Sequence, residues 1–288
     1  MDVKTQSLGE ALTQAPEAAA PQADSPVDRA ERGWGSFIWF LVKLLIAVLA
    51  FRTLVVAPFS IPSESMLPRL MNGDYLLAAK WPYGISKHSL PFELPLPEGR
   101  LFAQAPERGD IVIFKHPIDG RDYIKRVIGL PGDSIAVIAG RVVINEGSVR
   151  YKRVPDARIV QSPNTGCEWG GLLEPLPDGR EACRYARFRE TLPDGTRYDV
   201  LDFGLTGGDS FGPQTVPEGM MFVMGDNRDN SRDSRFPAAE GDAVGIVSQN
   251  LLVGRASIIV WSTDGSADWL LPWTWFSAAR WDRIGDGL

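Results

Sequence analysis

The run from Phe37 to Val56 is apolar except for Lys43, Arg52 and Thr53. A bilayer crossing needs about 20 such residues. A run of this kind must enter lipid, be buried in protein or be removed. It has no polar face, which argues against a helix lying on a membrane surface. A buried soluble helix and a cleaved leader are the alternatives. Val55-Val56-Ala57 offers small residues for cleavage, but Pro58 follows at once and the apolar core is long for a leader. The reading adopted is a transmembrane helix over 34–57, with Lys43 and Arg52 snorkelling to headgroups. Arg29, Arg32 and Lys43 against Arg52 and Arg69 give a slight bias for an inside N-terminus. Residues 1–33 are rich in Ala, Gln, Pro and acids without apolar periodicity, and read as a disordered cytoplasmic tail.

Directly after the apolar run comes Phe59-Ser60-Ile61-Pro62-Ser63-Glu64-Ser65-Met66-Leu67-Pro68-Arg69-Leu70. Two prolines exclude this stretch from a helix interior or a central strand. Were the backbone extended, Ser63 and Ser65 would point to one side. A serine-rich turn leaving a helix is the plain alternative.

The rest of the chain reads as mainly β. Turn formers precede Tyr75–Lys80, Ile111–Lys115 and Ser134–Ile138, and β-branched residues fill those runs. From Trp81 to Gln104 the prolines indicate a loop. Residues 58–141 and 217–262 form the expected main β-domain. The pattern weakens over 142–216, read as an inserted smaller β subdomain. Its Cys167 and Cys183 bridge if that part lies outside the cytosol, and otherwise are small apolar residues. Residues 263–288 are rich in tryptophan. Trp269, Trp273, Trp275 and Trp281 suit either a membrane interface or the packing of a terminal helix.

Composition narrows the chemistry. A net charge of -6 argues against nucleic acid. Two histidines and two cysteines, without helical ligand spacing, make a poor metal site, and no cofactor is indicated. A serine nucleophile needs a base. His88 lies in the proline-rich loop and His116 precedes Pro117, neither in a setting that suggests a triad. Lys125 sits mid-strand in Asp122–Asp133, sharing a face with Tyr123 and Val127. It is either an edge lysine that snorkels or a desolvated one with a lowered pKa. A third stretch, Met220–Arg235, runs from a buried strand into turn formers and alternating charge, either a solvated loop or a hydrogen-bonded buttress. A Ser–Lys pair is the serine chemistry these residues allow.

Together the three stretches resemble bacterial type I signal peptidase, a membrane-bound serine protease with a mostly β fold. The carriers are Ser63-Glu64-Ser65-Met66-Leu67-Pro68, then Tyr123-Ile124-Lys125-Arg126-Val127-Ile128-Gly129-Leu130-Pro131-Gly132-Asp133. The third is Gly225-Asp226-Asn227-Arg228-Asp229-Asn230-Ser231 with Asp233-Ser234-Arg235. The resemblance implies Ser65 as nucleophile and Lys125 as general base. It implies an oxyanion hole from the Ser65 N–H and the Ser63 hydroxyl, Ser231 orienting the Lys125 amine, and Asp233 with Arg235 in support. Ile61, Met66, Leu70 and Ile124 would wall the pocket for the residue before the cut, and Phe59 the pocket two residues earlier. Glu64 and Arg69 depart from residues common in the family, Arg69 placing a charge near the pocket rim.

The implied partners are signal peptides of preproteins and the phospholipid bilayer, with no nucleic acid and no metal. The implied location is the inner membrane, single-pass, with the catalytic domain facing the periplasm or exterior. Cys167 and Cys183 are then expected to be bonded. A related Ser–Lys processing protease and a non-catalytic membrane-anchored β-scaffold are the other readings.

Overall fold

The turns at Gly73-Asp74, Gly109-Asp110 and Gly132-Asp133 each lead into a strand. The computed structural model describes residues 26–84, 86, 88, 99–167, 170–268 and 270–288. The tail over 1–25, most of the loop before Gly99, and Trp269 lie outside the described residues.

Helix α1 spans Pro26–Leu54. Its segment Trp34–Arg52 is long and apolar enough to cross a bilayer, and Phe37, Phe40, Ile46 and Phe51 expose their side chains. The helix begins within the stretch expected to be tail. Pro26 suits a first helical position, where no N–H partner is required. It also stops short of Ala57, because the sheet captures the chain. The Lys80 N–H donates to Val55 O at 3.0 Å, and Val56 pairs with Ala79.

The strands follow as β1 Val56–Ser60, β2 Asp74–Ala79, β3 Ile111–Lys115, β4 Asp122–Gly129 and β5 Ser134–Ile138. Then come β6 Arg141–Ile144, β7 Gly147–Ser148, β8 Arg150–Val160, β9 Leu172–Pro175 and β10 Glu181–Thr191. The last are β11 Arg197–Leu201, β12 Ser210–Thr215, β13 Met220–Met224, β14 Val247–Ser248 and β15 Leu252–Ser262. A seven-stranded sheet has the order β1-β2-β15-β3-β4-β13-β14. Pro58 is tolerated because β1 is an edge strand paired only with β2. β13 pairs with β4 only from Arg126 onward, so Asp122–Lys125 pair with β3 and leave their other edge open.

Two four-stranded sheets complete the β structure, one of β11-β10-β8 with β9 on β10, the other β12-β5-β6-β7. The sequence boundary at 141/142 falls inside β6, and β6 and β12 both pair with β5. Ile128, Ile135, Val142, Val200 and Phe222 share one buried cluster. Residues 142–216 thus complete a core begun elsewhere. Their apolar pattern is weak because β8 and β10 each keep polar side chains partly in solvent.

Cys167 and Cys183 are disulfide-bonded. Both pack in a cluster with Leu67, in the loop after Ser65, so the bridge is nearer that loop than sequence distance suggests. A short helix, α2, spans Thr274–Ala278. Only Ala278 in it is buried, while Trp273, Phe276 and Trp281 are exposed, against the terminal-helix packing alternative. Residues 285–288 run along β15, with the Gly285 N–H on Ile259 O and the Leu288 N–H on Ser257 O.

Replacing both cysteines by serine is expected to cost about 3 kcal/mol of stability in the chain-entropy account. Cleavage at low temperature should persist, since no cysteine lines the Ser65 cavity. Thermal melts of the two forms check the first outcome; free thiols in protein purified without reductant would contradict the bridge itself.

Candidate active site

β1 delivers the chain to Ile61, which is pinned from both sides. The Ile61 N–H donates to Asp74 O at 2.8 Å, and Ile61 O accepts from the Gly73 N–H at 3.0 Å. The backbone then turns, with the Leu67 N–H on Glu64 O and the Leu70 N–H on Met66 O. The chain around the two serines is therefore a turn and not an extended strand. Ser63 is exposed and Ser65 buried, although both line the same cavity. Met66 and Leu70, fully buried, pack with Ile61 and Ile124 and anchor the turn from behind.

Lys125 enters from β4 with 4% of its surface exposed. Its Nζ lies 2.6 Å from Ser65 Oγ and 6.0 Å from the Tyr123 ring centre. Arg126, next along the strand, leaves by the other face. It makes a bidentate pair with Asp226 at 2.7 and 2.6 Å and donates to Gly109 O. Burial pulls the Lys125 amine down to about 8, while Asp233 and Asp226 oppose that and Arg235 adds to it. Burial pushes the Asp233 carboxyl up, but the Arg235 guanidinium, the Gly225 N–H and Ser231 together hold that carboxyl below its ordinary value. Arg235 meets Asp233 at 2.9 and 3.0 Å, and the Gly225 N–H donates to the same carboxylate.

Ser231 is buried beside this pair. Its Oγ makes no well-formed hydrogen bond and none to Lys125, though it is close enough to Asp233 to help hold that carboxyl low. Gly225 is needed for close approach. A Cβ there would stand 2.4 Å from Ser231 Oγ and 2.5 Å from Ser65 O.

Sequence reasoning missed Asn227. Its N–H donates to Ser65 O at 3.0 Å and its side-chain amide to Glu64 O at 3.1 Å, so the polar loop clamps the serine turn. Its stretch carried the family resemblance, but no role was assigned to Asn227 itself. Arg69 does not reach the rim of the Ser65 cavity. It bonds Gly287 O and lines a separate cleft with Leu288. His116 is buried and engaged elsewhere: Nε2 meets Ala243 O at 3.1 Å, and Nδ1 accepts from the Ile118 and Asp119 N–H groups.

The cavity, about 380 Å³, is lined by Phe59, Ile61, Ser63, Ser65, Ile124 and Lys125 among others. Its mouth carries the Arg232–Asp242 pair, bidentate at 2.8 Å. Of the pocket residues expected from sequence, Phe59, Ile61 and Ile124 line the space, while Met66 and Leu70 support it.

A serine hydroxyl against a buried amine, on a mainly β scaffold, defines a peptidase of the serine class. The family described as "Signal peptidase, peptidase S26" matches residues 34–261. Signal peptidase I of Rickettsia massiliae is 36% identical over 245 residues, covering 81% of this chain and 80% of its own. That of Rickettsia typhi is 37% identical over 237 residues, covering 79% and 80%. A crystal structure of a signal peptidase I from Enterococcus faecalis aligns at 24% identity with a TM-score of 0.29, over 54% of this chain and 98% of its own. The profile match and the curated relatives place this chain in the signal peptidase family, peptidase S26.

Keeping a lysine in this site costs stability at neutral pH, because the amine is held near 8 against an ordinary 10.5. Unfolding binds a proton between those values, so this cost fades as pH rises from about 8 to 10.5. Lys125→Met is expected to be inactive and to melt roughly 2–4 °C higher at pH 7. A lower Tm would mean that Asp226 and Asp233 require the amine's charge.

Proposed function

We propose that this chain removes N-terminal signal peptides from exported preproteins, cutting after small residues through a Ser65–Lys125 dyad. The observation that carries the reading is the 2.6 Å contact between Lys125 Nζ and Ser65 Oγ in a buried site. The neutral amine accepts the Ser65 proton as Oγ bonds to the scissile carbonyl carbon. The oxyanion that forms is held by the Ser65 N–H and the Ser63 hydroxyl. Lysinium then protonates the departing amine, leaving an acyl-enzyme and a neutral lysine. A water attacks the ester with Lys125 again as base. The carboxylate product leaves and Ser65 regains its proton.

The substrate lies extended in the cavity, where the unpaired edges of β1 and of Asp122–Lys125 supply backbone partners. Phe59, Ile61 and Ile124 then meet alternate side chains and select small ones. Asp233 and Arg235 support the base, with Ser231 beside them. Helix α1 is the single membrane span, with the N-terminus cytoplasmic and the catalytic unit in the periplasm or exterior. The disulfide supports an oxidising location. The exposed Trp273, Phe276 and Trp281 support contact with the bilayer surface.

The direct test is cleavage of a synthetic preprotein by wild type and by Ser65→Ala, which should be inert. Activity must rise with pH through about 8, because only the deprotonated amine is a base. Lys125→Ala and Lys125→Arg should both be inactive, the guanidinium being always charged. Near wild-type cleavage by Lys125→Arg would falsify the dyad.

Ser63→Ala should slow cleavage without abolishing it, losing about 2.7–4 kcal/mol of transition-state stabilisation. Ser63→Thr keeps the hydroxyl and should retain more activity. Equal rates for wild type and Ser63→Ala in single-turnover assays remove Ser63 from the oxyanion hole.

A further inference from the structure

Glu190 is a fully buried acid in β10, outside every stretch that marked the site in sequence. Its two oxygens accept from Arg228 Nη1 at 2.5 Å and Nη2 at 2.6 Å. Oε2 also accepts from the Tyr198 hydroxyl at 2.7 Å. A buried ion pair is no cheaper than apolar packing of the same volume. Stability alone therefore does not account for a charge at this place.

The two partners of Glu190 lead to the same turn. Arg228 donates its Nε–H to Gly225 O at 3.2 Å, and its own carbonyl accepts from Arg235. Tyr198 lies under the Arg126 guanidinium, 4.3 Å from ring centre to carbon, and Arg126 holds Asp226. Gly225 in turn donates its N–H to Asp233. Asp226 and Asp233 are thus both placed by groups that Glu190 anchors.

We propose that Glu190 is a positioning residue for Lys125, fixing through Arg228 and Tyr198 the Gly225-Asp226 turn and with it the placement of Asp226 and Asp233 about the amine. This rests on the Ser65–Lys125 reading above. The groups around the amine are few. Asp233 and Arg235 come from the segment after Ser231, Asp226 from the turn after β13, Tyr123 from β4, and the Ser65 hydroxyl from its loop.

The sign of the effect follows from charge. Glu190→Gln removes one buried negative charge and leaves Arg228 positive without its partner. The other carboxylate that attracts Arg228 is Asp226. Drawn toward Arg228, Asp226 stabilises lysinium less, and the orphaned guanidinium repels it. Lys125 then loses its proton more readily, while its geometry against Ser65 is loosened.

The experiment uses the full chain in detergent, with competent sites counted by covalent acylation of Ser65 with a penem. Glu190→Gln, Glu190→Asp and the double variant Glu190→Gln/Arg228→Met are compared with wild type. For Glu190→Gln the acid limb of kcat/KM should move down by about half a unit or more, less than the ~1–3 units of a directly contacting charge. Its kcat per acylated site should fall roughly ten- to a hundredfold, with KM little changed. Glu190→Asp should recover part of both. The double variant, with no orphan charge, should return the limb toward wild type.

A purely structural role predicts fewer competent sites with an unmoved pH profile, and that result overturns the proposal. Should Glu190→Gln not fold, Glu190→Asp decides: a wild-type limb and full kcat per site overturn the role, a shifted limb supports it. Failure of the dyad is a separate outcome, seen as an active Lys125→Arg or a wild-type enzyme without the limb near 8.

Discussion

An amine enclosed by protein is the constraint on which the site depends. In water a lysine holds its proton until about pH 10.4. Removing water lowers that value, but an unpaired buried charge is costly, so the enclosure has to be built from groups that balance one another. Here burial, with the Tyr123 ring 6.0 Å away, takes away solvent, and Asp233 and Asp226 return some negative field. Each acid is itself neutralised, by Arg235 and Arg126 respectively. The amine therefore sees carboxylates whose charge is largely spent on guanidinium groups, and its proton affinity settles between the extremes.

The same polar web fixes the Ser65 turn. The serine turn is held from behind by Met66 and Leu70 and from the side by Asn227. Apolar packing resists translation of the turn, and the Asn227 bonds set its rotation. Gly225 lets these two layers meet without an intervening side chain. In this chain the Ser65 turn and the Lys125 surroundings thus meet through a third segment, residues 225–235.

Much of this was legible in the sequence, for identifiable reasons. Strands β3 and β5 announce themselves by β-branched runs behind Gly–Asp turns. Ser65 and Lys125 stand out because a serine on a proline-stiffened loop and a lysine on an apolar strand are each unusual. Whether Ser63 and Ser65 sit on an extended chain was left open by the sequence, and the turn closed by the Leu67 N–H on Glu64 O decides it. The tie between the inserted stretch and the rest was not legible, because β6 and β12 find their partner in β5, a pairing that no local pattern encodes. Asn227 resembles any turn residue, and Glu190 any polar residue on an alternating strand. Their partners are distant in sequence, so nothing local signals them.

The open edge of β4 over Asp122–Lys125 carries one more consequence. A strand edge accepts only a chain that offers several consecutive free backbone groups in an extended line. A helix has used those groups internally, and a segment already in a sheet has shared them. A site built on such an edge therefore discriminates by conformation before it reads any side chain. On the proposed function, the timing of the cut becomes a property of the cargo. A preprotein whose junction folds early closes itself to this enzyme, and one that stays unstructured near the junction remains a substrate for as long as it lingers at the membrane.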